Sequence, residues 1–168
     1  RNGKVTELLK KYSNRIKVHE SRLDGDFSKF KNQLIPLASG DYLFQIDADE
    51  LLPIPLIKEL PGYIALKSKH DCFSIPRLNT VEGITEEHIR KWNWEINADG
   101  YINYPDFQTR IFKLKTDYPI QWVNRVHEEL QGFQSRKWVG HKGYDFAIIH
   151  KKVIRKQEEQ NDFYDKNF

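Results

Sequence analysis

The sequence predicts an α/β domain: a mixed, mostly parallel sheet flanked by helices. Three observations carry that expectation. The first half alternates segments of helical apolar spacing with short apolar runs, the pattern of βαβ units. The run "YLFQI", 42–46, is apolar and aromatic and is bounded by Gly-Asp before it and Asp-Ala-Asp after it, as a buried strand would be. Further on, "FQTRIFKLK", 107–115, alternates strictly, with Phe107, Thr109, Ile111 and Lys113 facing one way and Gln108, Arg110, Phe112 and Leu114 the other.

Taken in order, Val5, Leu8, Leu9 and Tyr12 stand at helical spacing and predict a helix from Lys4 to Tyr12. A short strand, "RIKVHE" at 15–20, follows it. After the loop "RLDGD", Asp26 or Ser28 suits the cap of a helix from about Phe27 to Ser39, with Phe27, Phe30, Leu34 and Leu37 on one side. Pro36 removes one of its hydrogen bonds and bends it, and Gly40 stops it. Beyond the 42–46 strand, three prolines in "LLPIPLIKELPGYIAL" put the next helix start near Pro55. "CFSIPRLNTV", 72–81, reads as a strand whose proline suits an edge. "TEEHIRKWNW" is a short helix capped by Thr85 with Glu at the third position, and "NADGYINYPD" is a loop. "IQWVNRVHEEL" is a strand running into a turn or helix, "DFAIIH" (145–150) a last strand, and "KKVIRKQEEQNDFYDKNF" a last charged helix. The basic character of that helix is interleaved with Glu158, Glu159 and Asp162, which reads as a solvated face.

Composition sets the outer limits. With 168 residues, 39% apolar and 13% aromatic, the chain suits one globular domain with a working core. No apolar run approaches the ~20 residues of a membrane span. The 27 basic and 24 acidic residues leave a net charge of only +3, too mild to point to nucleic acid. The lone Cys72 excludes an internal disulfide and fits a reducing compartment. A cytoplasmic location is expected, with a peripheral seat on the inner membrane face as the variant.

"FQIDADELL", 44–52, carries the chemistry. Ligands of open α/β sheets bind beyond the carboxyl ends of the strands. Asp47 and Asp49 sit at such an edge, where an Asp-x-Asp turn can hold a hard cation. The bland alternative is a solvated turn or a helix cap. Glu50 is expected in the turn that follows.

The surrounding residues narrow the choice. "FSKFKNQLIPLASGDYLFQIDADE" resembles the central block of family 2 glycosyltransferases of the GT-A fold, in which a helix with a basic-Asn pair leads through A-x-G-(D/E)-(Y/W) into a strand ending in D-x-D. Here the pair is Lys31-Asn32, where many relatives carry Arg-Asn. "YPDFQTRIFK", "QWVNRVHEEL" and the strand ending at His150 are similar to later segments of those enzymes, in the same order.

The resemblance implies a Rossmann-like GT-A domain over 1–168, with a donor and metal half at about 1–66 and an acceptor half at 67–168. It also implies that the first strands, about 30 to 50 residues of a typical unit, lie before Arg1, so that donor binding would suffer without them. It implies a nucleotide-diphosphate sugar as donor, a glycan, lipid or protein acceptor, and Mn²⁺ or Mg²⁺ as cofactor. Asp47, Asp49 and His150 would ligate the cation, and Lys31, Asn32, Asp47, Gln108 and Arg110 would hold the donor. Glu128 would be the general base of an inverting transfer, with Glu129 its competitor.

Several residues keep two readings. His127 either orients an acceptor or packs. Gln108 and Arg110 share a strand face and either grip the donor or form a cross-strand salt bridge. Trp92, Trp94, Tyr101 and Tyr104 divide between core and acceptor platform. His19, His70, His88 and His141 read as structural or surface. Two other functions stay open: a metal-dependent phosphodiesterase using Asp47, Asp49, Glu128 and His150, and a carbohydrate-binding module without turnover.

Overall fold

The structure is a computed structural model that describes residues 3–140 and 143–167; His141 lies outside them. The opening helix α1 (Gly3–Lys11) forms where its apolar spacing predicts, yet none of its residues is buried. Residues 15–20 form no strand and lie exposed. Their β-favouring side chains meet no neighbouring strand, and β-propensity is packing more than backbone preference.

Helix α2 (Phe27–Asn32) starts at Asp26, whose carboxylate accepts from Ser28 Oγ (2.8 Å) and the Lys29 N–H (3.0 Å). It is shorter than expected, because Pro36 has no N–H for the carbonyl of Asn32. The chain resumes as a 3₁₀ turn at Ile35–Leu37. Strands β1 (Tyr42–Phe44) and β2 (Glu50–Leu51) flank the acidic turn. Helix α3 (Ile54–Leu66) places Pro55 in its first turn, where a missing N–H costs little, and buries Leu56 and Leu60 one turn apart.

Strand β3 (Cys72–Glu82) is central, which corrects the edge assignment drawn from Pro76. It pairs antiparallel with β4 (Ile102–Lys113) on one side. On the other it pairs in parallel with β7 (Arg136–Trp138) up to Ser74 and with β8 (Ile148–Val153) from Arg77 onward. Pro76 falls in the interval between those two partners, where its missing donor is tolerated.

Between β3 and β4 stands α4 (Glu86–Lys91), whose Thr85 cap is closed by His88 rather than by Glu. β4 begins five residues before the alternating stretch and absorbs part of the expected loop. A bulge at Arg110 sets Ile111 opposite Phe73 but Thr109 opposite Ser74, so Thr109 and Ile111 leave opposite faces, against the strict alternation. Strands β5 (Gln121–Val123) and β6 (Glu129–Gln131) form a separate hairpin. At its end Gly132 (φ +89°) passes so close to the carbonyl of Pro119 that any Cβ would clash. The chain finishes in α5 (Ile154–Asn167).

The main sheet runs β1-β4-β3-β8-β2, with β7 beside the start of β3. Among the described residues only the pairs β3–β8 and β3–β7 are parallel, so the mostly parallel sheet is corrected to a mixed, largely antiparallel one. Parallel neighbours need crossover connections of a dozen or more residues, usually helical. In the second half loops replace those crossovers. One core packs α3 against Phe73, Ile75, Ile111 and Ile148; a second joins Cys72 and Phe112 to Ile120, Trp122 and Leu130 of the hairpin. Among the described residues no helix is long and apolar enough to cross a membrane.

Candidate functional site

A cleft of about 1180 Å³ opens between α2, the 47–49 turn, β4, the β5–β6 hairpin and the β8–α5 junction. Lys31, Asp47, Asp49, Gln108, Arg110, Glu128 and His150 all line it. Asn32 does not. Its Nδ2 donates to the Trp122 carbonyl and its Oδ1 accepts from the Trp122 N–H, both at 2.9 Å, so it clasps the hairpin to α2.

The acidic turn is built on Glu50. This carboxylate is fully buried, not part of an outlying turn: Oε1 lies 2.5 Å from Arg110 and 3.2 Å from Arg77, and Oε2 accepts the Asp47 N–H at 3.0 Å. Arg110 also donates to Asp47 Oδ2 at 2.7 Å, while Lys31 approaches Asp47 Oδ1 at 3.4 Å. Burial pushes the Asp47 carboxyl up, but Arg110 and Lys31 outweigh it and hold it below its ordinary value. Both oxygens of Asp47 are thus engaged by cations of the protein.

Asp49 faces the other way. Its Oδ2 stands 3.3 Å from His150 Nε2. The opposite ring nitrogen, Nδ1, lies 2.8 Å from Asn79 Oδ1, and Asn79 Nδ2 donates to Asp106 Oδ2 at 2.7 Å. Asp106 is held in turn by Arg77. With its amide nitrogen spent on Asp106, Asn79 can only accept from the ring, which puts the neutral histidine's proton on Nδ1 and a lone pair on Nε2. Burial, then Arg77 and Lys152, lower the His150 pKa against the pull of Asp49, which favours the neutral ring. A lone pair facing a carboxylate oxygen is an arrangement that a cation relieves. The pair suits a divalent ion that takes its remaining ligands from water and phosphate. Among the described residues no group of three or more His, Cys, Asp or Glu forms a closed metal cage.

Across the cleft, Lys31 Nζ lies 2.5 Å from Glu128 Oε1 and 4.7 Å above the Trp122 ring. One ammonium therefore links the acidic turn to Glu128. A belt of hydrogen bonds fixes it: Gln45 Nε2 donates to the Lys31 carbonyl (3.0 Å), and Trp122 Nε1 donates to Gln45 Oε1 (2.5 Å). Glu128 follows a tight turn in which Asn124 (φ 71°) and His127 (φ 50°) take left-handed backbone conformations. Glu129 is the more exposed of the two acids. Gln108 lines the cleft but donates to Asp106 at 2.6 Å.

Sequence reading missed Gln45, Arg77, Asn79, Asp106 and Lys152. Gln45 carried one usable signal, a polar side chain inside an otherwise apolar run. Lys152 lines the cleft half-buried, and burial lowers its pKa more than Asp49 raises it. The aromatics left between core and acceptor platform do not line the cleft: Trp92 packs with Trp94 and His88, and Tyr101 with Tyr104 and Tyr144. No family model matches this chain, and no curated protein matches it.

Proposed function

We propose that this chain carries the cleft of a metal-assisted inverting glycosyltransferase, moving a sugar from a nucleotide-diphosphate sugar to a hydroxyl of a glycan, lipid or protein. One observation carries the reading: the Asp49–His150 pair and the Lys31–Glu128 pair, from four separate segments, meet in one cleft. A mixed sheet with an acidic turn behind a short strand supports assigning the domain to the GT-A class.

In this reading Asp49 and His150 would hold Mn²⁺ or Mg²⁺, with Asn79 orienting the ring. When bound, such an ion would supply Lewis-acid neutralisation of charge on a departing diphosphate. Arg110 fixes Asp47 at the donor end of the cleft. Lys31 holds Glu128 at the opposite wall, where its carboxylate takes the acceptor hydroxyl proton as that oxygen attacks the anomeric carbon. The bond from that carbon to the diphosphate breaks on the far side, and the configuration inverts. A two-metal phosphodiesterase has less support, since among the described residues no group of three or more His, Cys, Asp or Glu gathers as a metal site.

The test is a nucleotide-sugar panel with Mn²⁺ and mixed acceptors, read as released nucleoside diphosphate. Glu128→Gln should lower release about 10²-fold or more, the scale of a lost general base, while Glu129→Gln leaves it near wild type. Hydrolysis of a generic phosphodiester with no sugar transferred would overturn the proposal.

A further inference from the structure

The cations of the cleft differ in how their charge is balanced. Lys31 is matched by Glu128 and Asp47, Arg77 by Glu50 and Asp106, and Arg110 by Asp47 and Glu50. Arg136 stacks on the Phe133 and Trp138 rings, and Lys152 is held differently again. Its Nζ donates to Gln157 Oε1 (3.2 Å) and Gln160 Oε1 (2.7 Å), two neutral amides of α5, and among the described residues it forms no ion pair with a carboxylate. Amide oxygens satisfy its hydrogen bonds, and its half-buried charge is balanced only in part, by Asp49 and Asp47 acting from beyond ion-pair contact. His150 and Lys152 stand two apart on β8, so both side chains leave the same face of the strand and both line the cleft.

We propose that Lys152 is a diphosphate-binding residue of this cleft, receiving phosphate oxygens of the sugar donor beside the Asp49–His150 pair. The geometry favours it over Lys31, the residue implied by resemblance, because Lys31 is already committed to two carboxylates and an aromatic face. A lysine ammonium suits this task as a compact point charge. The identity of the anion as a donor diphosphate rests on the glycosyltransferase reading; the presence of an anion subsite at Lys152 does not.

The test titrates the full chain with inorganic pyrophosphate, a nucleoside diphosphate and glycerol 3-phosphate, each with Mn²⁺, using wild type, Lys152→Met and Lys152→Arg. Lys152→Met is expected to weaken pyrophosphate and nucleoside diphosphate about ten- to a hundred-fold, as for a lost charge-assisted hydrogen bond. Lys152→Arg should recover most of that loss. Mn²⁺ alone should bind Lys152→Met at least as tightly as wild type, and the melting temperature should not fall. Equal pyrophosphate affinity in wild type and Lys152→Met overturns the proposal, as does a wild type that binds no pyrophosphate. A lower melting temperature with unchanged anion affinity overturns it too, leaving Lys152 as a tie between β8 and α5. Selective loss of glycerol 3-phosphate binding overturns the assignment to the donor. The expected affinity loss in a chain that transfers no sugar supports the subsite and defeats the glycosyltransferase reading instead.

Discussion

Replacing Glu50 by Gln isolates the contact on which the acidic turn is built. The Glu50 side chain has 0% exposure, and its two oxygens serve three donors: Arg110, Arg77 and the Asp47 N–H. An amide has one acceptor end only. Whichever way the substituted amide turned, its NH₂ group would meet either the guanidiniums or the Asp47 N–H. Removing one partner of a buried ion pair costs about 3–5 kcal/mol. Here Arg110 keeps Asp47 at 2.7 Å and Arg77 keeps Asp106 at 2.8 Å, so neither cation is stranded. The expected loss therefore falls below that range, at about 2–3 kcal/mol, equivalent to about 5–10 °C in melting temperature for a chain of this size. Urea unfolding followed by tryptophan fluorescence measures it by linear extrapolation. Asp49→Asn is the companion: that side chain is 55% exposed, and its cost should stay within about 0.5 kcal/mol. A Glu50→Gln protein as stable as wild type, or an Asp49→Asn protein less stable than Glu50→Gln, would refute the division into a structural Glu50 and a ligand-facing Asp49.

Asn79→Ala should lower Mn²⁺ affinity about 10–100-fold by freeing the His150 ring, the usual effect of losing a partner behind a metal ligand; nitrogen-15 NMR of His150 should show loss of the Nδ1–H tautomer, and an unchanged tautomer and affinity would sink the orienting role. Gln45→Leu strands the buried Trp122 N–H, which should cost about 1–3 kcal/mol and perturb tryptophan fluorescence; an unchanged spectrum and stability would count against the belt. Asp47, Asp71 and Asp106 are all held below the carboxyl value of 3.8. In each, burial pushes upward and is outweighed: by Arg110 and Lys31 at Asp47, by the Tyr118 hydroxyl and the Gln134 and Ser135 N–H groups at Asp71, and by Arg77 and Asn79 at Asp106. With folded values below unfolded ones, their stabilisation is complete above the unfolded value and is lost as pH falls through the folded values. Urea midpoints should therefore drop steeply below about pH 4, and a flat acid limb would contradict these pairings.

Much of the local structure was legible. Asp26 and Thr85 mark helix starts because a short oxygen-bearing side chain can reach a free N–H two or three residues on. Pro36 and Pro55 mark where a helix must stop or can begin. A strand within the 42–46 run was readable from its apolar length and acidic boundary, although it ends at Phe44, two residues short of the predicted end. The strand predicted at 15–20, the edge placed at Pro76 and the parallel sheet were not readable in the same way. Each depends on which strand lies alongside, and residue type within a single segment does not carry that.

The candidate site divides on the same line. The chain by itself marks Asp47 and Asp49 as an acidic turn behind a strand, a pattern contained within a few consecutive residues. Only the tertiary structure separates their roles, sending Asp47 to Arg110 and Lys31 and Asp49 to His150, 101 residues away. It alone turns Asn32 into a clasp across 90 residues and draws Glu50 inside. Local signals arise from backbone geometry and short-range hydrogen bonds, whereas a buried charge is placed by strand order and by the partners that folding brings within reach.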